Sequence, residues 1–194
     1  MIEVITKNDL DNIAECWADS LPFNIHTIVG KKIIKAYLNY FFENEFNIGY
    51  KITTNAQIDG FVLYGNEKII NQKIMKKHFF EILISFFRNL FLFNFKKIFQ
   101  YFDVFLFLIF TKNYEYLKKD IELISICVLK NKQNKGLGTK LIQNSLTKSN
   151  FASKYKKIYV QPLLSTPNNI NFYKKNGFEQ EKIIYGRIYL SKTL

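Results

Sequence analysis

The sequence predicts an α/β fold in which helices flank a β-sheet. A buried strand is predicted at residues 121–128, because this run is rich in β-branched and apolar side chains. A basic glycine turn at 133–139 follows, and from Leu137 onward apolar residues recur at the spacing of one helix face. Two more strand patterns, at 48–54 and 61–64, flank a turn-rich segment, which indicates an antiparallel pair.

The chain begins with a short strand at residues 2–5 and an amphipathic helix at about 9–20, which Pro22 ends. An apolar stripe predicts a second helix at about 25–42. His26 falls in the preceding loop, residues 22–27. A single histidine in such a loop is most often a surface or capping residue.

Residues 66–119 form an unusual segment rich in phenylalanine. Apolar positions step by three and four residues, which predicts helices at about 79–93 and 95–109. Residues 68–119 carry ten Lys and Arg against three Asp and Glu, and no stretch of about 18 uncharged residues could span a membrane. The pattern suits a helix pair on an anionic membrane surface, or one packed on the domain or on a second subunit.

The last third of the chain supplies the remaining elements. A strand at 157–161 ends at Pro162. Thr166-Pro167 is typical of a helix start, and Asn176-Gly177 of a helix end. Two closing strands are then predicted at 178–184 and 186–190.

Composition limits the function classes. A length of 194 residues suits one domain, 1–194, and the net charge of +12 attracts polyanions, although no motif of a nucleic-acid module is present. The two cysteines have no metal-ligand spacing, so no metal site is expected, and two thiols suit a reducing cytoplasm. The first residues lack the pattern of a signal peptide, which also favours the cytoplasm.

The turn at 133–139 is a candidate pyrophosphate site. Unpaired N–H groups and the helix dipole make the N-terminus of a helix attractive to anions. Gly136 and Gly138 are expected to let a phosphate approach the backbone without meeting a Cβ. No Walker A sequence is present, and the position of the third Rossmann glycine is Leu141.

The remaining pattern, Gln-x-x-Gly-x-Gly after a strand, resembles the acetyl-CoA motif of the GNAT N-acetyltransferase superfamily. The segment Asn171-Phe-Tyr-Lys-Lys-Asn-Gly-Phe178 is similar to a second signature of that family, in the same order along the chain. The resemblance implies a GNAT fold with a mixed, mostly antiparallel sheet that splays where the cofactor enters. The segment 66–119 would then be a helical insertion before the fourth strand.

The resemblance also implies acetyl-CoA as cosubstrate. Strand residues 126–128 would pair with the pantetheine arm, and the turn would hold the pyrophosphate. Thr166 stands where the family commonly has Asn, and Asn169 stands where it has Ala, so Asn169 could supply a replacement contact. The candidate cofactor-binding residues are Ile126, Cys127, Val128, Gln133, Asn134, Lys135, Gly136, Leu137, Gly138, Thr139 and Asn169.

Two catalytic residues are proposed. Tyr173 occupies the tyrosine of the second signature, whose phenol in the family faces the coenzyme sulfur and can protonate a departing thiolate. Glu122 is a candidate general base, although a chain of water molecules could serve instead. Strict strand alternation would place Glu122 on one face with Ile124, Ile126 and Val128, where burial would raise its pKa.

The expected function is acetyl-CoA-dependent N-acetylation of a small primary amine. The basic, Phe-rich insertion resembles that of GNAT members encoded with surface-polysaccharide genes. This resemblance implies an amino sugar, carried on a nucleotide or a lipid, in surface glycan biosynthesis. A peptide, protein or small-amine acetyltransferase is an alternative, as is a GNAT module that binds acyl-CoA without turnover. The insertion could contact the inner membrane surface or form a homodimer.

Overall fold

The protein forms a seven-stranded sheet flanked by helices. The structure, a computed structural model, describes residues 2–22, 24–110 and 120–194, without the side chains of 103–110. The strands lie in the order β1-β2-β3-β4-β5-β7-β6. Their bounds are β1 Ile2–Val4, β2 Ile48–Thr54, β3 Gln57–Gly65, β4 Asp120–Val128, β5 Lys157–Val160, β6 Glu179–Ile184 and β7 Arg187–Thr193.

The sheet is mixed and mostly antiparallel, as the sequence predicts. Among the strands of the described residues only β4 and β5 are parallel, and their pairing is limited to Asp120–Glu122 against Lys157–Tyr159. On its other edge β5 pairs with β7, while β4 continues along β3 to Val128. The two parallel strands therefore separate after Glu122, and no strand of the described residues covers the second half of the edge of β4 that faces away from β3.

Two layers of helices cover the sheet. On one face α1 and α3 pack around Trp17, Tyr37 and Phe61, and on the other α7 and α8 pack around Leu141, Ile142 and Tyr173. The helices outside the insertion are α1 Leu10–Ser20, α2 Ile25–Val29, α3 Lys31–Phe42, α7 Leu137–Ser149 and α8 Pro167–Lys175. The predicted helix at 25–42 is divided at Gly30, whose φ of 138° is incompatible with a continuous helix.

In its described residues the insertion contains three helices, α4 Glu67–Lys77, α5 Phe79–Phe91 and α6 Phe95–Phe110. The two helices predicted from the phenylalanine-rich pattern are thus confirmed, and α4 is an addition to them. Residues 111–119 of the predicted insertion lie outside the described residues, as do the side chains of Phe105 and Ile109. None of the helices in the described ranges is long and apolar enough to cross a membrane.

Strict alternation along β4 was a wrong expectation. The β3–β4 pairing shifts register between Leu63 and Tyr64, which pair with Ser125 and Leu123 and leave Ile124 as an extra residue. Ile126 consequently packs on the α7–α8 side of the sheet together with Leu123, whereas Ile124 packs on the α1–α3 side. Glu122 is therefore not on the face that carries Ile126 and Val128.

Candidate active site

The glycine turn forms a bare cradle at the start of α7. Gly136 is the N-cap of this helix, and no side chain caps the N-terminus. Its φ is +75°, and a Cβ built on Gly136 would meet nothing within 4 Å. Asn134 is also left-handed, with φ of 60°, so the backbone turns sharply ahead of the helix. The first N–H groups of α7 are therefore available to an anion, as the sequence predicts.

Gly138 also allows a close contact between two helices. Its Cβ would lie 3.1 Å from the ring of Phe172 on α8, which is closer than ordinary packing allows. The absent side chain thus lets the first turn of α7 pack against α8. Phe172 belongs to the Phe-Tyr signature, so the two sequence motifs are in direct contact.

Side chains attach the cradle to the end of β4. Gln133 donates from Nε2 to the carbonyl oxygen of Val128 at 2.9 Å, and Ser20 Oγ donates to the same oxygen at 2.9 Å. Lys135 Nζ donates to the carbonyl of Asn131 at 3.0 Å, within the loop. Gln133 and Lys135 therefore stabilise the shape of the turn, and both side chains remain exposed.

At the open edge of β4, the backbone N–H and C=O groups of every second residue point away from β3. The N–H of Leu129 donates to the backbone carbonyl of Asp59 on β3, so the backbone groups of Cys127, two residues earlier, also point towards β3. The close approach of the Cys127 carbonyl to Gly60, 2.6 Å from a Cβ built there, agrees with this direction. The groups of Ile126 and Val128 face the open edge, where an extended arm could pair.

Tyr173 lies on α8 beside this edge. Its ring is buried between Phe172 and Phe178, with centroids 5.2 and 5.7 Å away. Burial raises the pKa of Tyr173 above its usual value, and the neighbouring Cys127 and Tyr64 add to this effect. The phenol therefore stays protonated across the neutral range, as a proton donor must.

Glu122 is buried against a second carboxyl residue, Glu67. Its Oε2 accepts a hydrogen bond from the backbone N–H of Glu67 at 3.2 Å, and its Oε1 accepts from Gln161 Nε2 at 2.9 Å. Burial raises the pKa of Glu122 well above its ordinary value, and the nearby charge of Glu67 raises it further. Burial also raises the pKa of Glu67, while Arg187 opposes that rise.

His26 was expected to be a surface or capping residue, and it is buried instead. It lies on α2, with its ring 5.9 Å from that of Trp17 and 4.6 Å from that of Tyr37. Burial lowers the pKa of His26 to about 4, although a hydrogen bond with Asn71 opposes this shift. The imidazole is therefore neutral at physiological pH.

The hydroxyl of Tyr37, which is near Glu67 and Glu122, has no hydrogen-bond partner within the described residues.

A cavity of about 1010 Å³ lies between these polar groups and the insertion. The end of the cavity next to the sheet is polar and includes Glu67 and Asn71 of α4 together with Gln161 and Arg187. The rest of the wall that α4, α5 and α6 form is mostly apolar, with Lys96 and Gln100 of α6 as polar members. Thr166 and Asn169 of the β5–α8 region also line the cavity, so it extends to the start of α8. The apolar lining residues include Ile74, Met75, Phe79, Ile82, Leu83, Phe86, Phe99 and Phe102.

The sequence alone did not reveal Glu67, Asn71, Gln161 or Arg187. Glu67 follows the N-cap Asn66, whose side chain accepts from Ile69 N–H, so in sequence it is an ordinary acidic residue in a first helical turn. Gln161 and Arg187 sit at strand ends with no local motif. Only the tertiary fold, in which the first turn of α4 reaches Glu122 of β4, brings these side chains together.

Sequence comparison identifies one matching family. Residues 105–180 match the model of the acetyltransferase (GNAT) domain, a segment that contains β4, the cradle, β5 and α8. No curated protein matches the chain significantly by sequence.

Several solved structures share the fold over the whole chain. An acetyltransferase from Thermus thermophilus has a TM-score of 0.63 at 10% identity, with 100% of this chain and 97% of that chain covered. The PaiA N-acetyltransferase from Thermoplasma acidophilum, in complex with coenzyme A, has a TM-score of 0.60 at 11% identity, with 100% and 99% covered. The ribosomal-protein-S18-alanine N-acetyltransferase from Escherichia coli gives 0.59 at 12%, with 100% and 92% covered.

These likenesses extend over both layers of helices, whereas the sequence match is confined to residues 105–180. GNAT acetyltransferases use acetyl-CoA. The chain has the GNAT fold, and its residues 105–180 match the GNAT acetyltransferase domain.

Proposed function

We propose that the protein is an acetyl-CoA-dependent N-acetyltransferase for a primary amine. The observation that carries this proposal is the convergence of three features at the open half of β4. They are the bare cradle at Gly136, the edge of β4 at Ile126 and Val128 that no other strand in the described residues covers, and the carboxyl pair of half-buried Glu67 and buried Glu122. In this proposal residues 1–194 act as a single acetyltransferase domain.

Bound acetyl-CoA would supply the activated acetyl group. The N–H groups of residues 137–139 hold its pyrophosphate, with Gln133, Asn134 and Lys135 shaping the turn. Ile126 and Val128 pair with the pantetheine arm, and a strand N–H polarises the thioester carbonyl. Cys127 supports this strand from within the sheet, and Asn169 contributes a polar contact from α8.

Two proton transfers complete the reaction. The carboxyl pair takes the proton of the amine: Glu67 lines the cavity, and Glu122 behind it is held by Gln161. A water chain from the cavity is the alternative route for this proton. Tyr173 donates its proton to the departing thiolate, and its raised pKa keeps that proton available.

Replacement of Glu122 by Gln tests the base. A base must be deprotonated to act, so activity should fall as the pH drops through the raised pKa of Glu122. Glu122→Gln should remove this acidic limb and lower kcat by about 10²- to 10⁴-fold. The pH dependence of kcat is the measurement. Asp120→Asn, on the same strand, is the matched control and should keep the limb, whereas an unchanged limb in Glu122→Gln would favour the water chain.

The family resemblance implies one candidate acceptor, an amino sugar carried on a nucleotide or a lipid phosphate, in surface glycan biosynthesis. The basic, Phe-rich insertion beside the cavity supports this choice. A peptide or small amine is the second candidate, because one similar structure is a ribosomal-protein-alanine acetyltransferase. Release of coenzyme A thiol with amino-sugar nucleotides, spermidine and a free-N-terminus peptide separates these classes. Saturable acetyl-CoA binding without any amine-dependent release would instead indicate a binding module.

We place the protein in the cytoplasm, at the inner membrane surface. Burial raises the pKa of Cys16 to about 12 and also raises that of Cys127, so both buried thiols are inert.

The outer surface of α5 and α6 exposes many large apolar side chains beside Arg88 and Lys96. These are Phe80, Ile84, Phe87, Leu90, Phe91, Leu92, Phe93, Phe95, Phe99 and Phe102. Such a surface suits an anionic bilayer.

Vesicle binding tests this surface. The protein should co-sediment with anionic vesicles at low salt and less with neutral ones, since each basic residue near the surface contributes ~1 kcal/mol. Changing Lys76, Lys77, Lys96 and Lys97 to Glu should abolish the binding. The same change at Lys154, Lys156, Lys174 and Lys175, all outside the insertion, should reduce it far less. A stable homodimer in sedimentation velocity, with no vesicle binding, would assign the surface to a second subunit.

A further inference from the structure

The cavity between the sheet and the insertion has two unlike walls. Glu67 and Arg187 are on the sheet side, beside the buried carboxylate of Glu122. The helical wall presents aromatic and aliphatic side chains, among them Leu83 and Phe86 of α5. A volume of about 1010 Å³ is at the top of the range of ~300–1,000 Å³ for ligand pockets, so the site is far larger than a short amine needs.

The mouth of the cavity lies on the exposed side of the insertion. Phe79, Phe99 and Phe102 line the cavity and are nevertheless 48%, 70% and 51% exposed. They are continuous with the exposed phenylalanines on the outside of α5 and α6. An apolar chain could therefore pass from that surface into the cavity along these rings.

Polar bonds fix the helical wall in place. Tyr101 of α6 donates its hydroxyl to Ser85 Oγ on α5 at 2.8 Å, and Ser85 Oγ donates to the carbonyl of Ile28 on α2 at 3.4 Å. Asn89 donates to the carbonyl of Ser85 at 2.7 Å. These groups are buried, so α5 and α6 are held to α2 by their polar side chains, while much of their apolar surface faces the cavity or solvent.

From these features we propose that the acceptor is an amphiphilic amine, whose ammonium group lies at Glu67 and Glu122 and whose alkyl chain fills the cavity between α4, α5 and α6. The inference rests on the proposed N-acetylation and narrows its acceptor to an amine on an apolar chain. Charge complementarity supports the position of the amine, because a cation next to the two carboxyl groups is favoured, and Arg187 supplies only one positive charge beside them.

In the reaction the amine nitrogen forms a bond to the acetyl carbon and the carbon–sulfur bond breaks. The amine proton passes to the carboxyl pair, and the thiolate takes a proton from Tyr173. The products are an N-acetylated amphiphile and coenzyme A. No oxidant or reductant is required.

A chain-length series tests the inference. With acetyl-CoA, kcat/KM for butylamine, hexylamine, octylamine and decylamine should rise roughly two- to fourfold per methylene until the cavity is full. Octylamine should also bind in calorimetry without acetyl-CoA. Spermidine and an amino-sugar nucleotide should be weaker acceptors than octylamine.

Variants of the cavity wall connect this series to the structure. Leu83→Trp fills the cavity and should lower kcat/KM for octylamine at least tenfold while sparing butylamine. Ile84→Trp is the matched control, since Ile84 is the next residue, is 68% exposed and does not line the cavity. Phe86→Ala enlarges the cavity and should shift the optimum to a longer chain, which keeps the test decisive if Leu83→Trp does not fold.

Three other outcomes distinguish a failure of this inference from a failure of the proposed function. Acetylation of polar amines with no preference for chain length, and no effect of Leu83→Trp, would overturn the inference and leave N-acetylation intact. A preference for octanoyl-CoA over acetyl-CoA that is lost in Leu83→Trp would show that the cavity holds the acyl chain of the donor. That result would also overturn the inference. Thiol release with none of the amines, despite acetyl-CoA binding, would contradict the proposed function itself.

Discussion

Gly136→Asp is expected to abolish measurable acetyl-CoA binding in a protein that still folds. The substitution places a Cβ and a carboxylate in the open space of the cradle, where the pyrophosphate is proposed to lie. Like-charge repulsion then acts against the anion at close range, and the φ of +75° adds local strain. Calorimetric titration with acetyl-CoA, accompanied by a melting curve, is the measurement.

Gly186→Asp is the matched control for the strain. Gly186 has a φ of +74°, and a Cβ there also meets nothing within 4 Å, but it lies in the β6–β7 turn. The two variants should lose similar stability, and only Gly136→Asp should lose acetyl-CoA affinity. Equal affinity in the two folded variants would show that the anion site is elsewhere.

Tyr173→Phe should lower kcat by about 10²- to 10⁴-fold with little change in acetyl-CoA affinity. The change removes one hydroxyl from a ring that stays packed between Phe172 and Phe178. If the phenol is the proton donor, its loss slows departure of the thiolate without disturbing the cradle. Steady-state kinetics with acetyl-CoA titrations for both proteins provides the test.

Tyr64→Phe is a suitable comparison, because Tyr64 is another buried tyrosine with a raised pKa. Its hydroxyl bonds to Ser145 Oγ at 2.7 Å in the core, so its loss should cost about 1 kcal/mol of stability and leave kcat nearly unchanged. A decrease in kcat of less than threefold in Tyr173→Phe would make Tyr173 a packing residue, with water as the proton donor.

The strands, the cradle and most helices were predictable from sequence, because each has a local pattern. Periodicity identified α5 and α6, and Gly136 is needed for its left-handed backbone. The separation of β4 from β5 was implied by the family resemblance and is present in the sheet. Features of this kind depend on residues that are close in sequence.

The missed features depend on packing between distant segments. The extra residue Ile124 breaks the alternation of side chains along β4, and no residue type in this strand predicts a β-bulge. Glu67 meets Glu122 across 55 positions of the chain, and His26 is buried only because Trp17 and Tyr37 surround it. The cavity arises from the placement of α4 to α6, which periodicity cannot supply.

A crystal structure of the protein with coenzyme A would test the central claim most directly. We predict that the pyrophosphate lies within hydrogen-bond distance of the N–H groups of residues 137–139. The pantetheine arm should pair with Ile126 and Val128 along the open edge of β4, with its sulfur near the Tyr173 hydroxyl and facing the cavity that Glu67 lines. Coenzyme A bound away from this edge, or β4 and β5 paired along their whole length in the complex, would contradict the account.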